Sequence, residues 1–527
     1  MVTNDRGAVS IKHAVMEGLA RELWEHDEIT PDAENQLIMS ISPGPHATWR
    51  CCVYKEREIL RWRIRLSENL DANPYTTEKN PNVVQVIDPA CEECPLSTYS
   101  VTDNCRLCLG KACQNSCRFG AITMTESRAH IDPNKCKECG MCANACPYGA
   151  IAHLERPCRK PCPVNAISYD ENGICKIDDK KCIRCGQCIH SCPFGAIASK
   201  IDVLDVIRDI KAGKEVFAMC APAIEGQFGK DITMGSIREA LKEVGFTDMV
   251  EVGLGGDMTA AYEAEEWSEA RKEGKKMTTS CCPAFINMLR MHFPEQFKEN
   301  MSETVSPMCA ISRYLKATHP GCKTVFIGPC IAKKSESHEM GIEGNADYVL
   351  TFGEMTTMMA SKNVEMKPVV DPYQESSIWG KSFATSGAKN VEMKPVVDPY
   401  QESSIWGKSF ATSGGVANAV MEVMRERNED TTGIKLRAAA GGKECNVALT
   451  LLKLGKLPED FIEGMVCEGG CVGGPSKHKT EMELRKSRQD LLNQADDRKI
   501  LDNLEKYPMD KFSMMRGHMA PPHSETK

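Results

Sequence analysis

The residues of this chain best suited to chemistry are cysteines, and four of them come from three separate stretches. Residues 279–285 (TSCCPAF) place two adjacent thiols where an apolar strand-like run turns into a predicted helix. Residues 329–334 (PCIAKK) and 465–474 (MVCEGGCVGG) contribute further thiols from distant loops. Four thiolates are what one [4Fe–4S] cubane needs. We therefore expect one cubane to be held by Cys282, Cys330, Cys467 and Cys471.

A larger group of cysteines has the spacing of bacterial ferredoxins. Residues 136–147 and 182–193 each follow the pattern C-x2-C-x2-C-x3-C-P, and residues 105–117 form a variant run. In paired runs, three cysteines hold one cubane and the fourth reaches to the other. A zinc site would instead use two CxxC pairs separated by a longer loop. We expect the first module to hold one cluster on Cys105, Cys108, Cys113 and Cys146 and another on Cys136, Cys139, Cys142 and Cys117.

The second module is incomplete. Residues 158–163 keep only the last two positions of a run, because Ala152 and Glu155 stand where cysteines should be. The missing ligands can come from the CxxC pair at residues 91–94, with Cys175 as the main competitor. We expect a third cluster on Cys162, Cys182, Cys185 and Cys188 and a fourth on Cys91, Cys94, Cys158 and Cys192.

Composition favours metal binding by these cysteines. The chain has 527 residues and 28 cysteines, and its N-terminus lacks a basic stretch followed by an apolar one. A long chain without such a secretion signal favours thiolate–metal chemistry over a disulfide framework. Its 65 basic and 73 acidic residues are dispersed, which argues against binding to nucleic acid or anionic membranes. No apolar run approaches the roughly 18 residues of a membrane span, so we expect a cytoplasmic protein.

The order of predicted elements indicates the fold. Beyond residue 199, short apolar runs alternate with helical stretches, which predicts an α/β catalytic domain with mainly parallel sheets. Before it, the cysteine runs predict α+β modules like bacterial ferredoxins, and residues 8–27 predict an amphipathic helix in a short helical N-terminal segment. We expect a helical segment at 1–85, a cluster region at 86–200, the catalytic domain at 201–490 and a C-terminal tail at 491–527.

One segment is duplicated without a change: residues 362–387 recur at 389–414, joined by Ala388. Two identical copies are too few and too alike to indicate a solenoid, so a recent duplication or a sequence-assembly error is the better interpretation. Only the second copy runs into residues 415–420 (GVANAV), a predicted helix start. We therefore expect the first copy to be extruded as a loop.

The three cysteine stretches named first, in their order between residues 216 and 475, resemble the catalytic domain of [FeFe]-hydrogenases. The preceding cysteine-rich region resembles the accessory domains of such enzymes. The resemblance implies an H-cluster, a cubane bridged through the sulfur of Cys471 to a diiron unit with CO, cyanide and dithiolate ligands. It implies the reaction 2H⁺ + 2e⁻ ⇌ H₂, with electrons relayed through about four accessory [4Fe–4S] clusters. Ferredoxin or a similar small carrier, and hydrogenase maturation proteins, are the expected partners of a monomer.

Protons need titratable groups near such a centre. Cys281 is the first candidate, because it adjoins a ligand and is surplus to the cubane. Glu263 and Glu266 lie three residues apart on one predicted helix face. Their charged surroundings alone favour a solvated face, whereas the resemblance implies relay glutamates. It also implies that Lys333 donates a hydrogen bond to a cyanide ligand, and we expect Met465 to pack against the diiron unit, with core filling as the alternative.

The sequence departs from the common family pattern at Phe285, at residues 306–309 (SPMC) and at Gly328. These departures resemble a less-studied branch and concern the polarity of the pocket more than the presence of the cofactor. Two other functions stay open. One is a hydrogenase-like scaffold or assembly protein without diiron chemistry, against which Cys281, the two glutamates and Lys333 argue. The other is a hydrogen sensor, which the absence of an attached signalling domain disfavours.

Overall fold

The computed structural model describes residues 7–76, 80–92, 94, 99–229, 232–338, 342–367, 402–479, 483–484, 488 and 498–517. Helices α1 to α18 are, in chain order, Ala8–Glu25, Pro31–Ile41, Val53–Ser67, Ala112–Ser116, Met141–Ala145, Gln187–Ser191, Val203–Lys211, Met234–Val244, Val252–Lys272, Pro283–His292, Pro294–Asn300, Pro307–Thr318, Ala332–Glu336, Phe352–Ser361, Ile405–Ser409, Gly415–Glu426, Gly442–Lys453 and Ile500–Leu504. Strands β1 to β15 are Val84–Val86, Tyr99–Val101, Ile122–Met124, Ala129–Ile131, Ile151–His153, Ile167–Tyr169, Cys175–Ile177, Ile197–Ser199, Val216–Cys220, Asp248–Glu251, Met277–Thr278, Lys323–Ile327, Tyr348–Leu350, Leu436–Ala440 and Phe461–Met465.

The N-terminal helices connect the two halves of the molecule. The apolar stripe of α1, which includes Val15 and Leu19, is buried against α7 and α14. Helix α2 begins after Thr30, whose side chain accepts a backbone amide hydrogen bond and so caps the helix. Helix α3 contacts both α1 and the short turn Asp88–Ala90 in the cluster region. The segment therefore packs on the catalytic region as well as on the cluster region.

The cluster region consists of small antiparallel strand pairs and short helices. The pairs are β1 with β8, β2 with β5, β3 with β4, and β6 with β7. Each of α4, α5 and α6 follows a residue in the left-handed conformation, and at α5 and α6 that residue is Gly140 or Gly186, which adopts it without strain. The predicted α+β ferredoxin-like modules are confirmed.

Two parallel sheets form the catalytic region. Their strand orders are β10-β9-β12-β13 and β11-β15-β14, and every pairing in both is parallel. Strands β9 (VFAMC) and β15 (FIEGM) are buried along their whole length, as expected for parallel strands that are covered on both faces. The long helix α9 packs against α12, α15 and α16. The predicted α/β domain with parallel sheets is confirmed.

Residues 498–517 also belong to the packed catalytic region. Ile500 and Phe512 are buried in the same core as α9, and the buried guanidinium of Arg313 donates to backbone carbonyl oxygens of this segment. The sequence predicted a tail at residues 491–527. Its described part is instead a piece of the domain, because its apolar side chains complete the core beside α9 and α12.

Parts of both copies of the duplicated segment are packed. Residues 362–367 continue directly from α14, with Val364 buried and Lys362 Nζ donating to a backbone carbonyl at the end of α8 (2.8 Å). Residues 402–414 of the second copy form α15 and lead into α16. The expectation that the whole first copy is extruded is therefore wrong for residues 362–367. Its remainder falls on residues 368–401, outside the described residues.

Deletion cannot show which copy is used. Because the copies are identical, removing residues 362–388 or residues 388–414 leaves one and the same polypeptide. Substitutions confined to one copy can distinguish them, because every residue of one copy has an identical counterpart in the other.

We predict that Gly407→Ala destabilises the protein whereas Gly380→Ala, the same change in the first copy, does not. A Cβ at Gly407 would meet the carbonyl oxygen of Gly253 and the carboxylate of Asp257 on α9. Overpacking of this kind costs about 1–3 kcal/mol of the free energy of unfolding. Denaturant unfolding of both variants and of the double variant measures the effect. Loss of stability in the double variant alone would show that either copy can take this place.

Candidate active site

The fold brings four thiols together from loops at the carboxyl ends of parallel strands. Cys282 precedes α10 just after β11, and Cys467 follows β15, the parallel neighbour of β11. Cys471 opens the short turn Cys471–Gly473, and Cys330 follows β12 of the other sheet. Carboxyl ends of parallel strands are the usual place for ligand sites in such folds.

These four thiols lie within electrostatic reach of one another. They keep part of their surface accessible, yet burial and then the nearby Cys282 raise the pKa of Cys330 to about 11. Burial, followed by Cys330 and Cys282, raises the pKa of Cys471 to about 12. The same influences raise the pKa of Cys467 well above its ordinary value. Thiols this close are costly to ionise unless a metal cluster supplies positive charge.

The backbone around the thiols also suits a cluster. Amides of Val466 and Phe285 donate to the sulfur of Cys282 and oppose the effect of burial on its pKa, and cluster sulfurs commonly accept such bonds. Gly470 has a φ of 93°, and a Cβ there would collide with the backbone of residues 411–413. The loop can pass this closely only because it carries glycine. The residues present therefore fit a cubane.

Lys333 is fixed beside this group. Its Nζ donates to Ser306 Oγ (2.9 Å) and Glu336 Oε2 (2.6 Å), with a longer contact to the carbonyl oxygen of Cys281 (3.5 Å). Burial, the largest single influence, lowers the pKa of Lys333, but the charge and hydrogen bond of Glu336 together with the charges of Cys330 and Cys281 raise it overall. The lysine therefore stays charged. No motif marks Glu336, although it follows Lys333 at helical i,i+3 spacing.

A row of acidic and hydroxyl groups leads away from Cys281. Glu263, fully buried on α9, accepts hydrogen bonds from the amide (2.8 Å) and hydroxyl (2.9 Å) of Ser280. Burial raises the pKa of Glu263 to about 7 despite these bonds. The hydroxyl of Ser302 donates to Glu266 Oε2 (2.6 Å) and is also within reach of Glu263. Glu266 is half-buried, so this row runs from the thiol towards the surface.

Strand β15 carries two further residues near the site. Met465, two residues before Cys467, is buried in the domain core. Glu463 is fully buried and accepts hydrogen bonds from the amides of Gly414 (2.7 Å) and Ala417 (2.9 Å) at the start of α16, a favourable place for a carboxylate. Its charge acts on Cys281. A lone acidic residue in an apolar strand was the available sequence indication of this position.

The accessory cysteines lie in four groups. In the first module, one cavity is lined by Cys105, Cys108, Cys113 and Cys146, and another by Cys117, Cys136, Cys139 and Cys142. In the second, Cys188 lies within electrostatic reach of Cys162, Cys182 and Cys185. Another cavity is lined by Cys91, Cys94, Cys158, Cys192 and the competing Cys175. A hydrogen bond from Cys175 is the main reason that the pKa of Cys158 falls to about 6.

Three of these sites stand in series. Gln187 Nε2 donates to Cys467 Sγ (3.7 Å), and the charge of Cys185 acts on the same sulfur. Cys158 of the fourth accessory site in turn acts on Cys188 of the third.

Within the described residues, no three His, Cys, Asp or Glu side chains are grouped to hold a single metal ion. No helix in the described part of the chain is long and apolar enough to cross a membrane.

Residues 214–475 match the family model "Iron only hydrogenase large subunit, C-terminal domain", and residues 129–152 and 175–198 match the 4Fe-4S binding domain. Iron hydrogenase 1 of Clostridium pasteurianum is 26% identical over 389 residues, 68% of this chain and 66% of that protein. The periplasmic [Fe] hydrogenase large subunit of Nitratidesulfovibrio vulgaris is 27% identical over 306 residues, 52% of this chain and 71% of that protein. The matched regions thus span about two thirds of these relatives.

A solved structure, an apo [FeFe]-hydrogenase from Chlamydomonas reinhardtii, has 18% sequence identity and a TM-score of 0.42, covering 58% of this chain and 94% of that one. Together, the fold and the cysteine sites define an iron–sulfur protein with ferredoxin-like modules ahead of a parallel α/β domain. The chain belongs to the iron-only hydrogenase large-subunit family.

We predict that Glu263→Gln is stabilising at pH 8 and much less so at pH 5. The folded-state pKa of Glu263 is raised by burial to about 7, so ionising it opposes folding. Wild-type stability is therefore lost as pH rises from the ordinary carboxyl pKa to about 7, by up to about 3 kcal/mol. Denaturant unfolding at both pH values measures this, with Glu269→Gln on the exposed face of α9 as control. An equal gain in the free energy of unfolding at both pH values would contradict the raised pKa of Glu263.

Proposed function

We propose that this chain is an [FeFe]-hydrogenase that interconverts protons, electrons and H₂. The observation that carries the proposal is the meeting of four thiols with Lys333 and Cys281 in one deep site. The residues proposed to hold the cubane of an H-cluster are Cys282, Cys330, Cys467 and Cys471. When bound, the diiron unit, which bears CO, cyanide and dithiolate, supplies redox chemistry at an open metal position.

The surrounding residues are proposed to orient this group and to exclude water. Glu336 and Ser306 fix the charged Nζ of Lys333, which would donate a hydrogen bond to a cyanide ligand. Met465 packs in the core directly before the loop that carries Cys467. Positioned donors of this kind cost no reorganisation at the moment of reaction.

Protons are proposed to pass between the site and the surface along Cys281, Glu263, Ser302 and Glu266. The buried Glu263 has a pKa of about 7, so it can hold or release a proton near neutral pH. Ser302 donates to Glu266 and lies within reach of Glu263, so its hydroxyl can accept a hydrogen bond from Glu263 when that carboxyl group is protonated. The half-buried Glu266 then exchanges protons with solvent.

Electrons are proposed to travel through the ferredoxin-like modules. The third accessory site adjoins Cys467 through Gln187, and the fourth adjoins the third. Ferredoxin or a similar small carrier would exchange electrons with the outer clusters, and maturation proteins would load the H-cluster. We propose that the protein works as a monomer in the cytoplasm.

A scaffold or assembly protein is the second candidate. The cytosolic Fe-S cluster assembly factor narfl of Danio rerio is 23% identical over 252 residues. Such a role would need the cubane thiols alone, whereas here Lys333 has a dedicated counter-ion and Cys281 adjoins a buried acid. Infrared spectroscopy of anaerobically matured protein distinguishes the two. Bands of metal-bound CO and cyanide are expected; intact cubanes without those bands would support the scaffold, and also disfavour a hydrogen sensor.

We predict that Cys281→Ala keeps the infrared bands but loses most hydrogen evolution, because a methyl group can neither deliver nor accept a proton. Cys281→Asp should recover part of the activity, since it restores a titratable group. Cys282→Ala, one residue away, is the matched control and should weaken cluster assembly. Loss of the bands in Cys281→Ala would make this thiol structural, and full activity with intact bands would place the proton route elsewhere.

We predict a metal content of about 22 iron atoms, four for each of five cubanes and two for the diiron unit. Iron and sulfide analysis after full reconstitution measures it. Cys91→Ala should lower the total by about four iron atoms, whereas Cys51→Ala, an exposed cysteine in no predicted set, should not. The same loss in Cys175→Ala, with Cys158→Ala unaffected, would make Cys175 the ligand.

A further inference from the structure

Two buried arginines lie at the fourth accessory site: Arg156 lines its cavity, and Arg63 lies near its Cys192. Arg63 and Arg156 are each 6% exposed. Within the described part of the chain, neither guanidinium pairs with an Asp or Glu carboxylate; each donates to a backbone carbonyl. A buried charge without a partner is costly. Glu92 also lines this cavity, but its carboxylate pairs with Arg50 (3.3 Å) and Lys55 (3.1 Å), so Arg63 and Arg156 are two cations without a carboxylate partner in the described residues.

Arg156 lines the cavity itself. Its guanidinium stacks 3.8 Å above the ring of Tyr169, and its Nη1 donates to the carbonyl oxygen of Gly173 (2.6 Å). Its Nε is buried and has no hydrogen-bond partner in the described structure. Stacking and one backbone bond hold the group in place while leaving its charge uncompensated. That charge acts on the thiols of Cys94 and Cys158.

Arg63 approaches from another element, helix α3. Its Nη2 donates to the carbonyl oxygen of Gly195 (2.8 Å), three residues beyond Cys192, and its Nε is also without a partner in the described residues. Burial lowers the pKa of Arg63 to about 10, while the thiol of Cys192 acts in the opposite direction. The guanidinium is thus charged at neutral pH and lies close to a thiol of the site.

A cysteine-ligated cubane is the missing anion, because its net charge is negative and grows by one on reduction. We infer that Arg63 and Arg156 are the counter-cations of the fourth accessory cluster and make it the accessory cluster with the highest reduction potential. This rests on the proposed cluster at these four cysteines. The sign follows from electrostatics, since a nearby positive charge favours the state with the extra electron.

The other accessory sites lack this arrangement in the described structure. Arg106 and Lys137 line the two cavities of the first module, but both are exposed, where solvent screens their charge. At the third site, the single Arg184 also has an Nε without a partner in the described residues, but it is only half-buried and donates to Ser335 Oγ (2.8 Å) of the catalytic domain. Helix α3 therefore supplies charge to a metal site, a role beyond packing for the N-terminal segment.

The test is a redox titration of the reconstituted full chain, followed by electron paramagnetic resonance, with iron analysis of each variant. The signal of the fourth cluster is the one lost in Cys91→Ala. In the wild type we expect it to be reduced before the other accessory clusters. Arg63→Gln and Arg156→Gln should each lower its reduced-to-oxidised ratio at fixed potential at least about tenfold, which is about 59 mV for one electron. Iron content should stay unchanged.

Charge-keeping and matched exposed variants separate electrostatics from structure. Arg63→Lys and Arg156→Lys should keep most of the wild-type potential, and Arg106→Gln and Lys137→Gln should leave this signal in place. An unmoved signal in the Gln variants, or equal shifts in Gln and Lys variants, would overturn the inference while leaving the cluster standing. If Cys91→Ala removes no iron and no signal, the proposed ligand set fails and the inference with it.

Discussion

Burial of sulfur is the constraint on which the rest of this structure depends. Burial raises the pKa of every one of the four catalytic thiols, whereas metal binding requires thiolates. Forming the site and loading it with metal are therefore linked. The parallel sheets bring the thiols together, because the loops that carry them lie at the carboxyl ends of the strands. Glycines allow these loops to approach closely, and backbone amides and the charged Lys333 favour the thiolate form.

Much of this arrangement can be predicted from the sequence, because it depends on local spacing. Runs of cysteines separated by two or three residues identify the ferredoxin-like modules, and the alternation of strands with helices identifies the parallel sheets. The crossing of the fourth cysteine between runs further predicts which thiols hold each cluster. The pairing of Glu263 with Glu266 on one helix face is equally local, since α9 fixes it.

Residues that act across elements could not be found in this way. Ser302 carries no motif, and its importance appears only where the fold places it against Glu266 of α9. Arg63 is one of several arginines on α3, and only the tertiary fold places it near Cys192. The predictions of a C-terminal tail and of a fully extruded first copy were wrong for a related reason. Whether an apolar residue packs in the core depends on which residues from distant parts of the chain surround it. A local sequence pattern does not contain that information.

The contact of the N-terminal helices with both halves of the molecule has a mechanical consequence. Helix α1 is embedded in the core beside α7 and α14, while α3 reaches the cluster region. Electron tunnelling falls off exponentially with distance, so small hinge motions between the modules and the catalytic domain would change its rate strongly. Because these helices pack against both regions, they would limit changes in the distance between the cluster modules and the catalytic domain.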